Sequence, residues 1–176
     1  MSSSQSVLVT GGSGYIAGYV IAKLLDDGYN VRTTIRSLGR EPQVREMLAK
    51  LVTDQSLLSF YAADLTSDTG WAEAMDGIDY VQHIASPLPI NLPKNDEELV
   101  VPARDGTLRA LRFARDAGVK RVVLTSSIAA IIYGLDSSPA KPLDETSWTD
   151  ETHSDTSPYV RSKTIAEKAA WAFMKA

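Results

Sequence analysis

The stretch Val7-Leu8-Val9-Thr10-Gly11-Gly12-Ser13-Gly14-Tyr15-Ile16-Ala17-Gly18 leaves this chain few ways to fold. A short β-branched apolar run, a glycine cluster and then apolar residues at helical spacing (Ile16, Val20, Ile21, Leu24, Leu25) read as a buried strand, a tight turn and a helix. Glycines let a backbone approach a diphosphate, and the unpaired amides at the start of a helix carry partial positive charge toward it. Two registers fit, Gly12-x-Gly14-x-x-Ala17 and the wider Gly11-x-x-Gly14-x-x-Ala17 preceded by Thr10. Either places the same group against Thr10, Gly11, Gly14 and the first helical residues Tyr15 and Ile16. A ligand-free glycine turn is the bland alternative; the position directly after an N-terminal strand favours a nucleotide.

The rest of the chain alternates. The first helix should stop at Asp26-Asp27 before Gly28, and Val31 to Ile35 reads as a second strand. Pro42 suits the first turn of a helix with Val44, Met47, Leu48 and Leu51 on one face. Strands are expected over Leu57 to Ala62, Tyr80 to Ile84 and Arg121 to Thr125. Between them fall a short helix around Trp71 to Met75 and a long one from about Asp96 to Ala117, with a start or kink near Pro102 and a stop at Gly118. The stretch from Gly134 to Pro158 is rich in Ser, Thr, Asp and Pro and reads as a long surface loop, followed by a last helix. This alternation implies an α/β fold, a doubly wound parallel sheet of order 3-2-1-4-5. Such a sheet normally continues past strand five. Residues 1–176 therefore read as the dinucleotide-binding Rossmann part of a longer protein, lacking C-terminal strands and a substrate domain.

Composition excludes other classes. With 18 Lys and Arg against 22 Asp and Glu, a net charge of -4 and no clustering of the cations, no basic stripe is available for nucleic acid. The absence of cysteine removes disulfides, thiolate metal sites and a thiol nucleophile. No apolar run approaches membrane-spanning length and the start lacks a signal-peptide core, so a cytoplasmic location is expected. No grouping of His, Asp and Glu has a convincing metal spacing.

An NAD-selecting site usually carries an acid at the end of strand two. Here that end is Ile35-Arg36-Ser37-Leu38-Gly39-Arg40. Arg36 can pair bidentately with a ribose 2′-phosphate, so the expected cofactor is NADP(H); Arg40 and Arg32 are weaker candidates. The second informative stretch is Pro158-Tyr159-Val160-Arg161-Ser162-Lys163. Four residues apart on a helix, Tyr159 and Lys163 share a face, and a nearby ammonium makes a phenol a better proton donor near neutral pH. Tyr19 and Lys23 have the same spacing but follow the cradle, where packing and solvent explain them. Strand five ends in Thr125-Ser126-Ser127, where a serine hydroxyl can hold a substrate carbonyl; turn capping is the plainer role.

Together, Thr-Gly-x-x-Gly, the serine after strand five and Tyr-x-x-x-Lys resemble the extended short-chain dehydrogenases/reductases. Val31 to Arg36, His83-Ile84-Ala85-Ser86-Pro87, Thr125 to Ser127 and Tyr159 to Trp171 are similar to the dihydroflavonol-reductase-like branch. The resemblance implies a Rossmann fold, NADPH and reversible hydride transfer to an aldehyde or ketone. It implies Ser127, Tyr159 and Lys163 as the catalytic set, with Lys163 also on the nicotinamide ribose. It further implies Asp64 and Leu65 flanking the adenine and Ala85, Ser86 and Pro87 lining the middle of the cofactor. Where plant flavonoid reductases carry Asn five residues past the serine, this chain has Ile132, and with Ile128 and Ile131 it suits an apolar carbonyl compound. The competing readings are a nucleotide-sugar epimerase or dehydratase, disfavoured by Arg36, and an NADP-binding sensor without turnover. Expected partners are a small-molecule carbonyl substrate and either a second copy or a missing C-terminal segment.

Overall fold

The computed structural model describes residues 5–88, 95–134 and 142–176. These form two compact units: residues up to Ser86 with Arg109–Thr125, and Pro87–Leu108 with Ser126–Ala176.

The first unit holds a five-stranded parallel sheet, β1 (Ser6–Val9), β2 (Asn30–Ile35), β3 (Leu58–Ala62), β4 (Tyr80–His83) and β5 (Arg121–Leu124), in the order β3-β2-β1-β4-β5. That is the expected order. Strand β1 is central because alternate residues feed opposite cores. Val7 and Val9 pack with Val31, Ile35 and Leu58 under Ala17, Ile21 and Leu25 of α1 (Tyr15–Asp26) and Val44 and Leu48 of α2 (Glu41–Leu48). Leu8 packs on the opposite face with Val81, Trp71, Ala74 and Met75 of α3 (Trp71–Met75), and Ala110 and Ala114 of α4 (Glu97–Asp116). A strand apolar on both faces needs helices on both sides, as the crossover connections supply. In register, Val7 lies opposite Val31 on one side and Tyr80 on the other, so the carboxyl ends of β1, β2 and β4 come out together.

Turn chemistry behaves as expected at Gly28 and Gly118, both in the left-handed region after a helix. Gly70 is also left-handed, and a β-carbon there would run into the Ala62 carbonyl, so this residue fixes the path from β3 into α3. Helix α4 continues through Pro102, which removes one intrahelical donor without ending the helix.

In the second unit, α5 (Pro158–Lys175) starts where Ser157 caps it by accepting the Val160 N–H, with Pro158 in the first turn. The stretch expected as a long surface loop is one over its described residues, but it is not wholly exposed. Residues 135–141 of it lie outside the described ones, and 142–157 contain neither helix nor strand, yet Thr149 and Thr156 are buried. Thr149 donates from Oγ1 to the Ala129 carbonyl at 2.7 Å and accepts the Tyr133 N–H at 3.0 Å, and Thr156 donates to the Asp150 carbonyl at 2.9 Å. Polar composition marked this segment as solvent-facing, but a threonine with its hydroxyl satisfied by backbone groups can be buried. Among the described residues no helix is long and apolar enough to cross a membrane.

Candidate functional site

At the carboxyl end of β1 the glycines do less, and more, than the motif suggests. The amides of Gly11, Gly12 and Gly14 are consumed internally, by Thr34 Oγ1 at 3.1 Å, the Thr34 carbonyl at 2.9 Å and the Gly11 carbonyl at 2.8 Å. The glycines serve by lacking a β-carbon. At Gly11, which has a φ of 76°, it would press on Ala85 at 3.1 Å; at Gly12 it would collide with the Thr33 side chain; at Gly14 it would sit 3.1 Å from the Gly11 carbonyl. Gly14 is the N-cap of α1 and no side chain caps the helix, so the amides of the first turn, Tyr15 and Ile16 included, point out of an open end. Tyr15 is 77% exposed, so its amide is offered by a residue at the surface. The cradle that a diphosphate needs is therefore present in its shape and in its donors.

The turn is held from below by hydroxyls that the sequence reading took only as strand formers. Thr33 donates to the Val9 carbonyl at 2.8 Å, and Thr34 takes both bonds from the glycine turn. Thr10 is fully buried. Its Oγ1 accepts the N–H groups of Ile84 and Ala85, each at 3.0 Å, and lies 2.9 Å from His83 Nδ1. With both lone pairs taken, the single hydroxyl hydrogen points to the imidazole, so Nδ1 accepts and the ring proton sits on Nε2. His83 thus anchors the turn. Replacing the hydroxyl by a methyl in Thr10→Val should destabilise the protein by about 2 kcal/mol, because two amides and an imidazole lose their partner at once. Urea denaturation would measure it, and a loss below about 0.5 kcal/mol would contradict the role.

Arg36 follows β2 directly and is exposed. The Ala63 amide donates to the Ile35 carbonyl at 3.1 Å, which brings the end of β3 beside it. There Asp64 Oδ1 accepts the Thr66 N–H at 2.8 Å and its hydroxyl at 2.6 Å. Those two bonds, with smaller help from the Arg36 and Arg109 guanidinium groups, hold the Asp64 carboxyl below the usual range. The end of β2 carries no acid, and parallel pairing brings Asp64, two residues past β3, beside it. The Leu65 carbonyl accepts from Arg109, which also binds Asp68, and the Trp71 indole donates to the Asp64 carbonyl at 2.9 Å, so the segment carrying Asp64 and Leu65 is fixed. Arg32 drops out as a phosphate ligand. Its guanidinium stacks 5.0 Å over the Tyr61 ring and donates to the Asp76 carbonyl at 2.6 Å. Arg40 reaches Gln43 at 3.2 Å at the start of α2. Ala85 and Ser86 close the first unit, and Pro87 opens the second.

Ser127, Tyr159 and Lys163 all belong to the second unit. Ser127 Oγ accepts the Ala129 N–H at 3.2 Å, capping a 3-10 turn over Ile128–Ala130, which is the plainer role foreseen for it. That bond uses a lone pair and leaves the hydroxyl hydrogen to point elsewhere. Tyr159 lies half-buried in the first turn of α5, and Lys163, one turn on, is only 8% exposed. Burial pushes the Lys163 ammonium below the ordinary lysine range, while the Glu167 carboxylate opposes that. The neighbouring Ser162 and Thr164 are buried and turn their hydroxyls back onto the carbonyls of Tyr159 and Val160 at 2.7 and 2.9 Å. Ser126, beside Ser127 after β5, is hydrogen-bonded to Glu167 of α5, a link between distant segments that the sequence does not show.

The Tyr19 and Lys23 pair and several other polar groups take structural places. His153 pairs with Asp155 at 2.6 Å on the surface, Lys23 pairs with Asp27 beside an exposed Tyr19, and Asp144 and Asp150 each accept from a threonine two residues on. Trp71 is a core residue, whereas Trp171 is 55% exposed. Among the described residues no three His, Asp or Glu are grouped as a metal would require.

Residues 7–176 match the NAD dependent epimerase/dehydratase family. The chain is 41% identical over 173 residues to a cinnamoyl-CoA reductase of Medicago truncatula, covering 96% of this chain and 53% of that protein. It is 34% identical over 175 residues to an anthocyanidin reductase of Vitis vinifera, covering 96% and 51%. Among solved structures, yeast methylglyoxal/isovaleraldehyde reductase Gre2 complexed with NADPH superposes with a TM-score of 0.83 at 28% identity, over 97% of this chain and 53% of that one. The chain spans about half the length of the curated relatives it matches.

Proposed function

The chain belongs to the NAD dependent epimerase/dehydratase family, and from that premise we propose that the protein is an NADPH-dependent reductase of an aldehyde or ketone, to which these residues contribute the cofactor cradle and the acid/base group. One observation carries the reading: a lysine almost wholly buried one helical turn after a half-buried tyrosine, in a chain that opens with an uncapped glycine cradle. Burying an ammonium is unfavourable unless it is used, and perturbed lysines gather at functional sites.

When bound, NADPH supplies a hydride to the carbonyl carbon and departs as NADP+. The chain does the rest. The first-turn amides of α1 hold the diphosphate, Thr34 keeps Gly11 and Gly12 in shape beneath it, and Arg36 pairs with the 2′-phosphate. Asp64 and Leu65 flank the adenine, and Ala85, Ser86 and Pro87 line the middle of the dinucleotide. Ser127 donates its hydroxyl hydrogen to the substrate carbonyl oxygen. Tyr159 gives its phenolic proton to that oxygen as the carbon becomes an alcohol, and the Lys163 ammonium steadies the phenolate left behind and binds the nicotinamide ribose. Exposed Ile128 and Ile132 suit an apolar substrate better than a polyhydroxylated one.

The relatives and structural neighbours named above support the reading, since they are reductases and Gre2 was solved with NADPH. The family description also admits an epimerase or dehydratase, which would retain NAD; an exposed arginine directly after β2 weighs against it. Titrating both nucleotides into the intact protein separates the two. NADPH is expected to bind on the order of tenfold or more tightly than NADH; a preference for NADH would refute the role given to Arg36.

A further inference from the structure

Ser126 and Glu167 have no part in the chemistry just described, yet they connect its two arms. Ser126 immediately precedes the serine proposed to hold the carbonyl oxygen, and its hydroxyl donates to Glu167 Oε2. Glu167 lies one helical turn beyond Lys163 and two beyond Tyr159, so all three fall along one side of α5. Its second oxygen, Oε1, accepts the Trp171 indole N–H at 3.3 Å, which fixes the carboxylate in place. We propose that Glu167 is a positioning residue for the reaction, tying the Ser126-Ser127 segment to α5 and keeping the Lys163 side chain in its charged form.

The geometry separates this from a generic surface contact. The Glu167 carboxylate is held by two neutral donors one helical turn from an ammonium that burial disfavours, and it opposes that effect. Among the described residues, charges of the neighbouring segments pair locally: Glu151 with Lys168 at 2.5 Å, His153 with Asp155 at 2.6 Å, and Asp96 of the segment leading into α4 with Arg161, while Asp150 accepts from Thr152. Glu167 is the carboxylate whose charge supports Lys163. The inference rests on the reductase reading and deepens it.

Two variants of the intact protein test it, Glu167→Gln and Ser126→Ala. The glutamine keeps an acceptor for Ser126 and loses the charge. Removing a negative charge one helical turn away lowers the proton affinity of Lys163, so the basic limb of the kcat–pH profile should move to lower pH. A heteronuclear NMR titration of the Lys163 side chain should move the same way, independently of turnover. The alanine keeps the charge and breaks the tie, so kcat should fall roughly tenfold or more while the limb stays where it is and the Kd for NADPH changes little. A Glu167→Gln protein with unmoved limb and unmoved Lys163 titration overturns the inference. So does a loss in which kcat and NADPH affinity fall together, the mark of a merely structural residue. If Glu167→Gln does not fold, an unchanged kcat in Ser126→Ala is enough to overturn it. In all these cases a wild-type protein that still reduces carbonyls, and loses that activity in Tyr159→Phe, leaves the reductase reading standing.

Discussion

Tyr159→Phe, which removes a single oxygen, is expected to lower kcat for carbonyl reduction by roughly a hundred- to ten-thousandfold, the range over which a positioned acid or base accelerates a proton transfer. The expectation is that large because the substitution removes the only proton assigned to the carbonyl oxygen and leaves everything else in place. Tyr159 sits in the first turn of α5, whose start is fixed by the Ser157 cap and Pro158 and whose next turns are buried through Val160, Ser162, Lys163 and Thr164. None of those contacts uses the phenol oxygen, so the variant should fold and bind NADPH within a factor of about two of the wild type. Kd by fluorescence titration and kcat by NADPH consumption give the two halves of the prediction. Full turnover in the phenylalanine variant would remove Tyr159 from the chemistry.

Charge reversal at Arg36 should produce the second large effect. Arg36→Glu removes the charge-assisted pair proposed with the 2′-phosphate and places a carboxylate where that dianion would lie. Loss of the pair alone is worth up to about 3 kcal/mol, which is on the order of a hundredfold in Kd, and like-charge repulsion adds to it. The affinity for NADH should change far less, or improve, because a carboxylate at this position accepts from a ribose hydroxyl. Asp64 beside it strengthens the contrast, since its Oδ1 is already occupied by Thr66 and it gives the new glutamate no cation to pair with. The test is a paired titration of the variant with both nucleotides; an NADPH affinity unchanged by the reversal would place the phosphate elsewhere.

What the sequence makes legible here is whatever repeats along the chain. Strand β1 alternates between two cores through Val7, Leu8 and Val9, α1 repeats its buried residues at helical spacing, and the glycines punctuate the ends, so the strand order and nearly every element boundary follow within a residue or two. Contacts that join distant segments through single polar atoms leave no such period. Thr33 and Thr34 look like ordinary β-branched strand residues until parallel pairing sets them under the glycine turn. Asp64 becomes a neighbour of Arg36 only because β3 pairs with β2 in a register that matches Ile35 with Ala62. Thr149 and Thr156 read as loop residues because polar side chains usually face water, and the hydrogen bonds that bury them are to backbone carbonyls that composition does not reveal. Arg32 is a weaker candidate than Arg36 by position, and the reason it drops out is not legible in the sequence: the Tyr61 ring and the Asp76 carbonyl engage it. The same reasoning explains why the Tyr159 and Lys163 pair was visible, being local to one helix, while Glu167 with Ser126 was not.

The account stands or falls on the fate of one hydride. The intact protein should be given NADPH deuterated at the transferring carbon of the nicotinamide, together with a panel of small apolar aldehydes and ketones. The expected result is an alcohol carrying one deuterium on the former carbonyl carbon, with one NADP+ formed for each alcohol. A substrate rearranged or dehydrated with no net consumption of the reduced nucleotide would contradict the reductase and leave the epimerase or dehydratase in its place.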